Sequence, residues 1–149
     1  MCYIFIISFF FLACGCQNDI SKKVINRIQY QCGDKPNCII KISDATDFIW
    51  DKMYVFKTSA SLEEINKALG FYYPYYHDIA RRVIFTQGTK VVYHEDDFPY
   101  SDERSAGRVL FTFKEDTLDF MVFKINEAVF NAKREGSGKD VFYELSPIN

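Results

Sequence analysis

The chain has 149 residues, a formal charge of -2 and a pI near 5.7. That length suits one domain rather than two, and the absence of a broad electropositive field excludes nucleic acid and anionic membrane surface as general partners. Aromatic residues make up 17% of the chain, with 15 Phe and 10 Tyr; such rings suit pleated, half-buried surfaces and lean the fold towards β structure.

From Tyr3 to Ala13 the chain is apolar apart from Ser8. A run of about ten residues is too short to span a bilayer but matches a signal-peptide core. No Lys or Arg precedes Lys22, so only the terminal amine supplies positive charge ahead of that core. The run ends in Leu12-Ala13-Cys14-Gly15-Cys16, which resembles the lipobox of bacterial lipoprotein processing. There a small residue fits the peptidase and a thiol accepts a diacylglycerol. Both Cys14 and Cys16 satisfy the pattern. Lipidation of Cys16 leaves Cys32 and Cys38 as an even pair, whereas lipidation of Cys14 leaves an odd thiol in an oxidising compartment, which favours Cys16. The expected organisation is a signal peptide over 1–15, a lipidated tether with a short helix over 16–31, and one domain over 32–149. Gln17 and Asn18 follow the cysteine in place of an aspartate that would resemble an inner-membrane retention signal. In a Gram-negative host the expected address is the outer membrane, facing the periplasm.

Cys32-Gly33-Asp34-Lys35-Pro36-Asn37-Cys38 sets two thiols around a turn-forming stretch, and a disulfide is expected between them. A zinc site needs two further ligands, and the only histidines are His77 and His94, with no companion C-x-x-C. A thioredoxin-like role is excluded by the spacing.

Downstream, Ile20, Val24, Ile25 and Ile28 recur at helical spacing opposite Lys22, Lys23 and Arg27. Ile39–Ile42 and Asp51–Phe56 read as strands, flanking a stretch that carries the only tryptophan, Trp50. Ser61 with Glu64 three residues on forms a capping box; Leu62, Ile65 and Leu69 make one apolar face, and Gly70 stops the helix. Val83–Thr86 and Lys90–Tyr93 around Gly88 predict a hairpin. Alternation predicts strands over 109–114 and 118–123, and a last strand over 141–145. Residues 125–134 fit helix or strand. The expected fold class is α+β: an antiparallel sheet of five to seven strands with one or two helices packed on one face.

Three places hold residues with chemical potential. His94-Glu95-Asp96-Asp97 gathers an imidazole and three carboxylates at a strand end, a set that suits a hard cation or a general base, or else a solvated strand terminus. Phe71-Tyr72-Tyr73-Pro74-Tyr75-Tyr76-His77-Asp78 packs five aromatics into six residues, and Pro74 enforces an extended shape that leaves some rings exposed or lining a groove. Trp50, beside Asp51 and Lys52, is either a recognition residue or core. The candidate binding residues are therefore Trp50, Tyr72, Tyr73, Tyr75, Tyr76, His77 and His94. No G-x-S-x-G, S-x-x-K, H-E-x-x-H, Gly-rich phosphate loop or C-x-x-C-H occurs, so no catalytic residue, metal or cofactor is assigned.

Phe48–Phe56, Ser61–Gly70, Asp78–Phe85 and the Val91-Val92-Tyr93-His94-Glu95…Phe98-Pro99 stretch resemble a group of small, functionally uncharacterised bacterial lipoproteins over most of 32–149. The resemblance implies lipidation and a single domain, and it brings no activity. The capped helix ending in Leu69-Gly70 before antiparallel strands is also similar to the small α+β lipoproteins of outer-membrane assembly. Three functions fit these readings: a non-catalytic envelope module binding a protein or glycan, a periplasmic immunity protein neutralising a toxin, and a weak hydrolase using carboxylates and histidine.

Overall fold

The computed structural model describes residues 19–99, 107–114 and 119–148. The signal-peptide reading, Cys14, Cys16 and Leu118 lie outside them. Helix α1 spans Ile20–Cys32 and is capped by Asp19, whose side chain accepts from Lys22 N. Its buried residues Ile20, Val24, Ile28 and Cys32 repeat every four positions, so one stripe faces the core. On the outward side Lys23 and Arg27 pair with Asp47 and Asp44 in the loop beyond the first strand. Gly33, at φ 56, ends the helix, and its N–H returns to the Gln29 carbonyl. Because this stripe is built into the core, the folded unit takes in α1 rather than starting at residue 32.

Strand β1 (Asn37–Lys41) leads through a short 3-10 turn, Ile42–Asp44, to β2 (Lys52–Phe56). Helix α2 (Leu62–Leu69) has the full capping box: Ser61 Oγ accepts from Glu64 N, and the Glu64 carboxylate accepts from Ser61 N. Then come β3 (Arg81–Gln87), β4 (Lys90–Asp97), β5 (Val109–Phe111), β6 (Phe120–Lys124), β7 (Val129–Glu135) and β8 (Phe142–Pro147). The stretch 125–134, open to either reading in sequence, is a turn followed by most of β7.

The class is α+β, but the strands divide between two four-stranded sheets instead of sharing one sheet of five to seven. Among the described residues one sheet runs β1-β7-β8-β5, the other β4-β3-β2-β6, and the β5–β8 pair alone is parallel. The physical reason lies in β2 and β3. Met53, Tyr54, Val55 and Phe56 are all buried, as are Ile84 and Phe85, so these central strands have no solvated face. One face, carrying Met53, Val55 and Phe85, meets the first sheet's Ile40, Phe130 and Leu145 together with α1. The other, carrying Tyr54, Phe56 and Ile84, is roofed by Ile65 and Leu69 of α2 and by Tyr73. The two helices therefore occupy different layers and do not share a face. Among the described residues, no helix is long and apolar enough to cross a membrane.

Cys32 and Cys38 are joined as a disulfide with Cα atoms 5.8 Å apart, tying the end of α1 to edge strand β1. Closing so short a loop stabilises the folded state by about 2 kcal/mol in the chain-entropy treatment. Paired Cys32→Ser and Cys38→Ser substitutions should lower the unfolding free energy by about that amount without changing the far-UV dichroism. Identical urea midpoints for the two proteins would show that α1 needs no such fastening.

Candidate functional site

Strand β4 is the hub. It lies at the edge of its sheet, paired with β3, so Arg82 stands opposite Asp96 and Ile84 opposite His94. Arg81 stands opposite Asp97, and Val83 opposite Glu95. Side chains alternate between faces, and the His94–Asp97 cluster is therefore split. His94 and Asp96 point to the α2 side, Glu95 and Asp97 to the side of α1. Its three carboxylates do not converge: Asp96 is bound by Arg82, Glu95 by the start of α1, and Asp97 by Arg81.

On the α2 side Arg82 is 1% exposed. A guanidinium so deep requires full pairing, and Asp96 supplies it: Nε donates to Oδ1 at 2.6 Å and Nη2 to Oδ2 at 2.7 Å. Nη2 also donates to the His77 carbonyl at 2.9 Å. The rings of Tyr73 and Tyr76 lie against the guanidinium, with centroids 5.3 and 5.1 Å from its central carbon. Burial alone would lower the Arg82 pKa, but the Asp96 bonds and charge outweigh it and raise the value. His77 Nδ1 approaches Asp96 at 3.3 Å. Tyr73 is fixed from the other direction, its N–H donating to Asn66 of α2 at 2.7 Å. Its hydroxyl is buried without a hydrogen-bond partner, and that desolvation pushes its pKa up.

This scaffold holds residues 71–79 in place and divides their rings. Tyr73 is core. Tyr76 is half-buried and donates to Asp78 at 2.6 Å. Tyr72 is 69% exposed, Tyr75 47% and Ile79 69%. Ile79 also has φ +59, a left-handed conformation that costs a β-branched residue about 1 kcal/mol or more. His94 stacks on Tyr75 with ring centroids 4.3 Å apart and meets Tyr73 edge-on. Burial lowers the His94 pKa, as do the charges of Arg82 and His77, against the pull of Asp96. Trp50 is placed elsewhere, at 1% exposure, its indole N–H on Thr46 and its ring edge-on to Phe85. It is a core residue and offers nothing to a partner.

On the α1 side Glu95 accepts from Ile20 N at 2.7 Å, Ser21 Oγ at 2.5 Å and Tyr93 OH at 2.8 Å. It thereby supplies an acceptor to the unpaired first turn of α1. Burial raises its pKa, and neighbouring Asp19 adds to the rise while Ser21 and Tyr93 oppose it. Asp97 accepts from Arg81 at 2.8 and 3.1 Å. Between the start of α1, β4 and Arg108 runs a groove of about 580 Å³.

Arg82, Arg108, Asp19 and Ser21 were not singled out by the sequence. For Arg82 a signal exists: it stands two residues from Ala80 and from Ile84, both apolar and buried, where an unpaired charge would be intolerable. These features define a two-sheet α+β domain whose edge strand supports an aromatic display and borders a polar groove. No protein-family model matches the sequence, and no curated protein or solved structure matches it either.

Removing one partner of the buried pair should be severe: Arg82→Met or Asp96→Leu alone is expected to cost about 3 to 5 kcal/mol, because each strands a buried charge or its bonding partners. The double variant should lose less than the sum, read as a coupling energy in urea denaturation; additive losses would show that the pair is not a unit. His94 gives a prediction in pH. Its folded pKa lies below the ordinary 6.5, so its contribution is present above that value and is lost as pH falls through the folded one. His94→Phe keeps the stacked ring and removes the loss, so between about pH 7 and about pH 5 wild type should lose more melting temperature than the variant. Glu95, whose raised pKa acts in the opposite sense, is common to both and cancels. Parallel profiles would assign His94 no part in the acid response.

Proposed function

We propose that the protein is a lipid-anchored component of the bacterial cell envelope, tethered by a diacylglycerol on Cys16, whose α+β domain binds a protein or glycan partner without acting on it chemically. In a Gram-negative host the anchor sits in the outer membrane and the domain faces the periplasm. The lipobox-like Leu12–Cys16 stretch supports the anchor. The observation that carries the binding reading is the exposed trio of Tyr72, Tyr75 and Ile79, presented by a segment clamped from beneath by Arg82 and Asn66.

Exposed tyrosines combine a large apolar face with a hydroxyl, a combination enriched at recognition surfaces. A rigid base means that little ordering entropy is lost on binding. The strained Ile79 fits this picture, because strain concentrates where a side chain must be held for a purpose. His94, Glu95 and Asp97 do line one groove, but each is already engaged, His94 stacked on Tyr75, Glu95 on the first turn of α1 and Asp97 on Arg81, which speaks against their use as a free acid or base.

Two measurements check the reading. Cys16→Ser should move the protein from the membrane fraction to the soluble fraction and abolish incorporation of labelled palmitate, while Cys14→Ser should do neither. In co-purification from detergent extracts of its host, the Tyr72→Ala/Tyr75→Ala variant should lose its partner by about tenfold or more in affinity. Its stability should fall by about 1 kcal/mol at most, because Tyr72 is solvent-facing and Tyr75 gives up only its ring contacts with His94 and Tyr73. Retention of the same partner by that variant would move the interface elsewhere. A stoichiometric toxin-like partner would replace the assembly role by an immunity role on the same surface.

A further inference from the structure

We propose that the groove beside β4 is a binding site for a small zwitterion of the α-amino-acid type, its carboxylate held by Arg108 and its ammonium by Asp19 beside Glu95. The groove follows the exposed edge of β4, with His94 and Asp96 lining it beside Glu95 and Asp97, while Tyr72, Tyr75 and Ile79 of the aromatic display do not line it. Its walls come from separate parts of the chain: Asp19, Ser21 and Lys22 at the start of α1, Tyr93 to Phe98 along β4, and Arg108 ahead of β5. A volume of about 580 Å³ is within the range of small-ligand sites and leaves room for a side chain.

The two poles are charged and incompletely answered. Arg108 Nη1 is buried with no hydrogen-bond partner. Its other contacts are weak: Nη2 reaches the Phe98 carbonyl at 3.4 Å, and Nε lies 3.8 Å from an Asp97 carboxylate already bonded twice by Arg81. A buried cationic N–H without an acceptor is unfavourable, and a carboxylate matches the guanidinium fork in shape and charge. At the other pole Glu95 accepts from the neutral donors Ile20 N, Ser21 Oγ and Tyr93 OH, and its carboxyl lies against that of Asp19 with no cation between them among the described contacts. Asp19 has Lys22 at 3.6 Å, but that lysine is 77% exposed and well screened. Two neighbouring carboxylates there favour an incoming ammonium.

The opposite charges at the two ends of the groove point to the ligand class. Glu95 and Asp97 are two residues apart on one strand face, roughly 7 Å, and Arg108 flanks Asp97. An ammonium and a carboxylate on one carbon, with a hydrogen bond at each end, bridge about 8 Å. A plain anion would meet the acids and a plain amine would meet Arg108 and Lys22, so each half alone is disfavoured.

The test uses the full chain in detergent, with L- and D-alanine and L- and D-glutamate as probes, and with propionate and ethylamine as controls that each lack one group. At about 10 mM, at least one amino acid should raise the melting temperature and give saturable heat in titration calorimetry, and neither control should. Arg108→Gln and Asp19→Asn, the latter retaining the helix cap, should each weaken binding by about tenfold or more. Tyr72→Ala, whose ring neither lines the groove nor touches a residue that does, should bind the amino acid normally, which keeps this outcome separate from that of the aromatic surface. No binding by any amino acid, equal binding by a control, or unchanged binding by Arg108→Gln would overturn the proposal.

Discussion

The buried pairing of Arg82 with Asp96 is the constraint around which the rest of the domain is arranged. A guanidinium at 1% exposure is tolerable only if its donors and charge are met in place, and here they are met by a bidentate carboxylate, a carbonyl and two aromatic faces. Those partners come from two separate stretches of backbone, β4 and the 73–77 segment. Asp96 pins edge strand β4 to β3 in register. The His77 carbonyl and the rings of Tyr73 and Tyr76 pin the connection between α2 and β3 on top of the sheet. One residue thus converts an aromatic loop into a fixed surface.

Strand alternation then gives β4 two roles. Its Asp96 face supports the Tyr72, Tyr75 and Ile79 display, and its Glu95 face receives the first turn of α1. Glu95 meets orphaned donors at the start of the helix, where the aligned peptide dipoles favour a negative charge. Burial nevertheless disfavours that charge. The balance matters because α1 closes the core that the two sheets share, through Ile20, Val24 and Ile28. If the chain is tethered at Cys16, as proposed, α1 is also the element nearest the membrane, and its fastening to β4 sets how the domain hangs from its anchor.

Much of the local structure was legible in the residues because local chemistry determines it. The α2 boundaries follow from the reciprocal bonds of Ser61 and Glu64 and from Gly70 in the left-handed region at φ 79. The β3–β4 hairpin follows from Gly88, and the Cys32–Cys38 bridge from a turn too short to keep the thiols apart. The candidate residues were less legible. Tyr72 and Tyr75 are exposed while Tyr73 is core and Tyr76 half-buried, a division that no spacing rule predicts in an extended, proline-containing segment. Trp50 read more readily as core than as an anchor, and its burial with Phe85 packed against it decides for core.

The sequence by itself determined the α+β class, the capped helix, the hairpin and the disulfide, because each rests on interactions among residues a few positions apart. The tertiary structure alone decided that the strands form two sheets, that the helices lie in different layers, and that Arg82 and Asp96 meet. These outcomes depend on which faces of β2 and β3 are covered by distant segments. A continuous apolar run such as Met53-Tyr54-Val55-Phe56 signals burial on both sides, but it does not say by what.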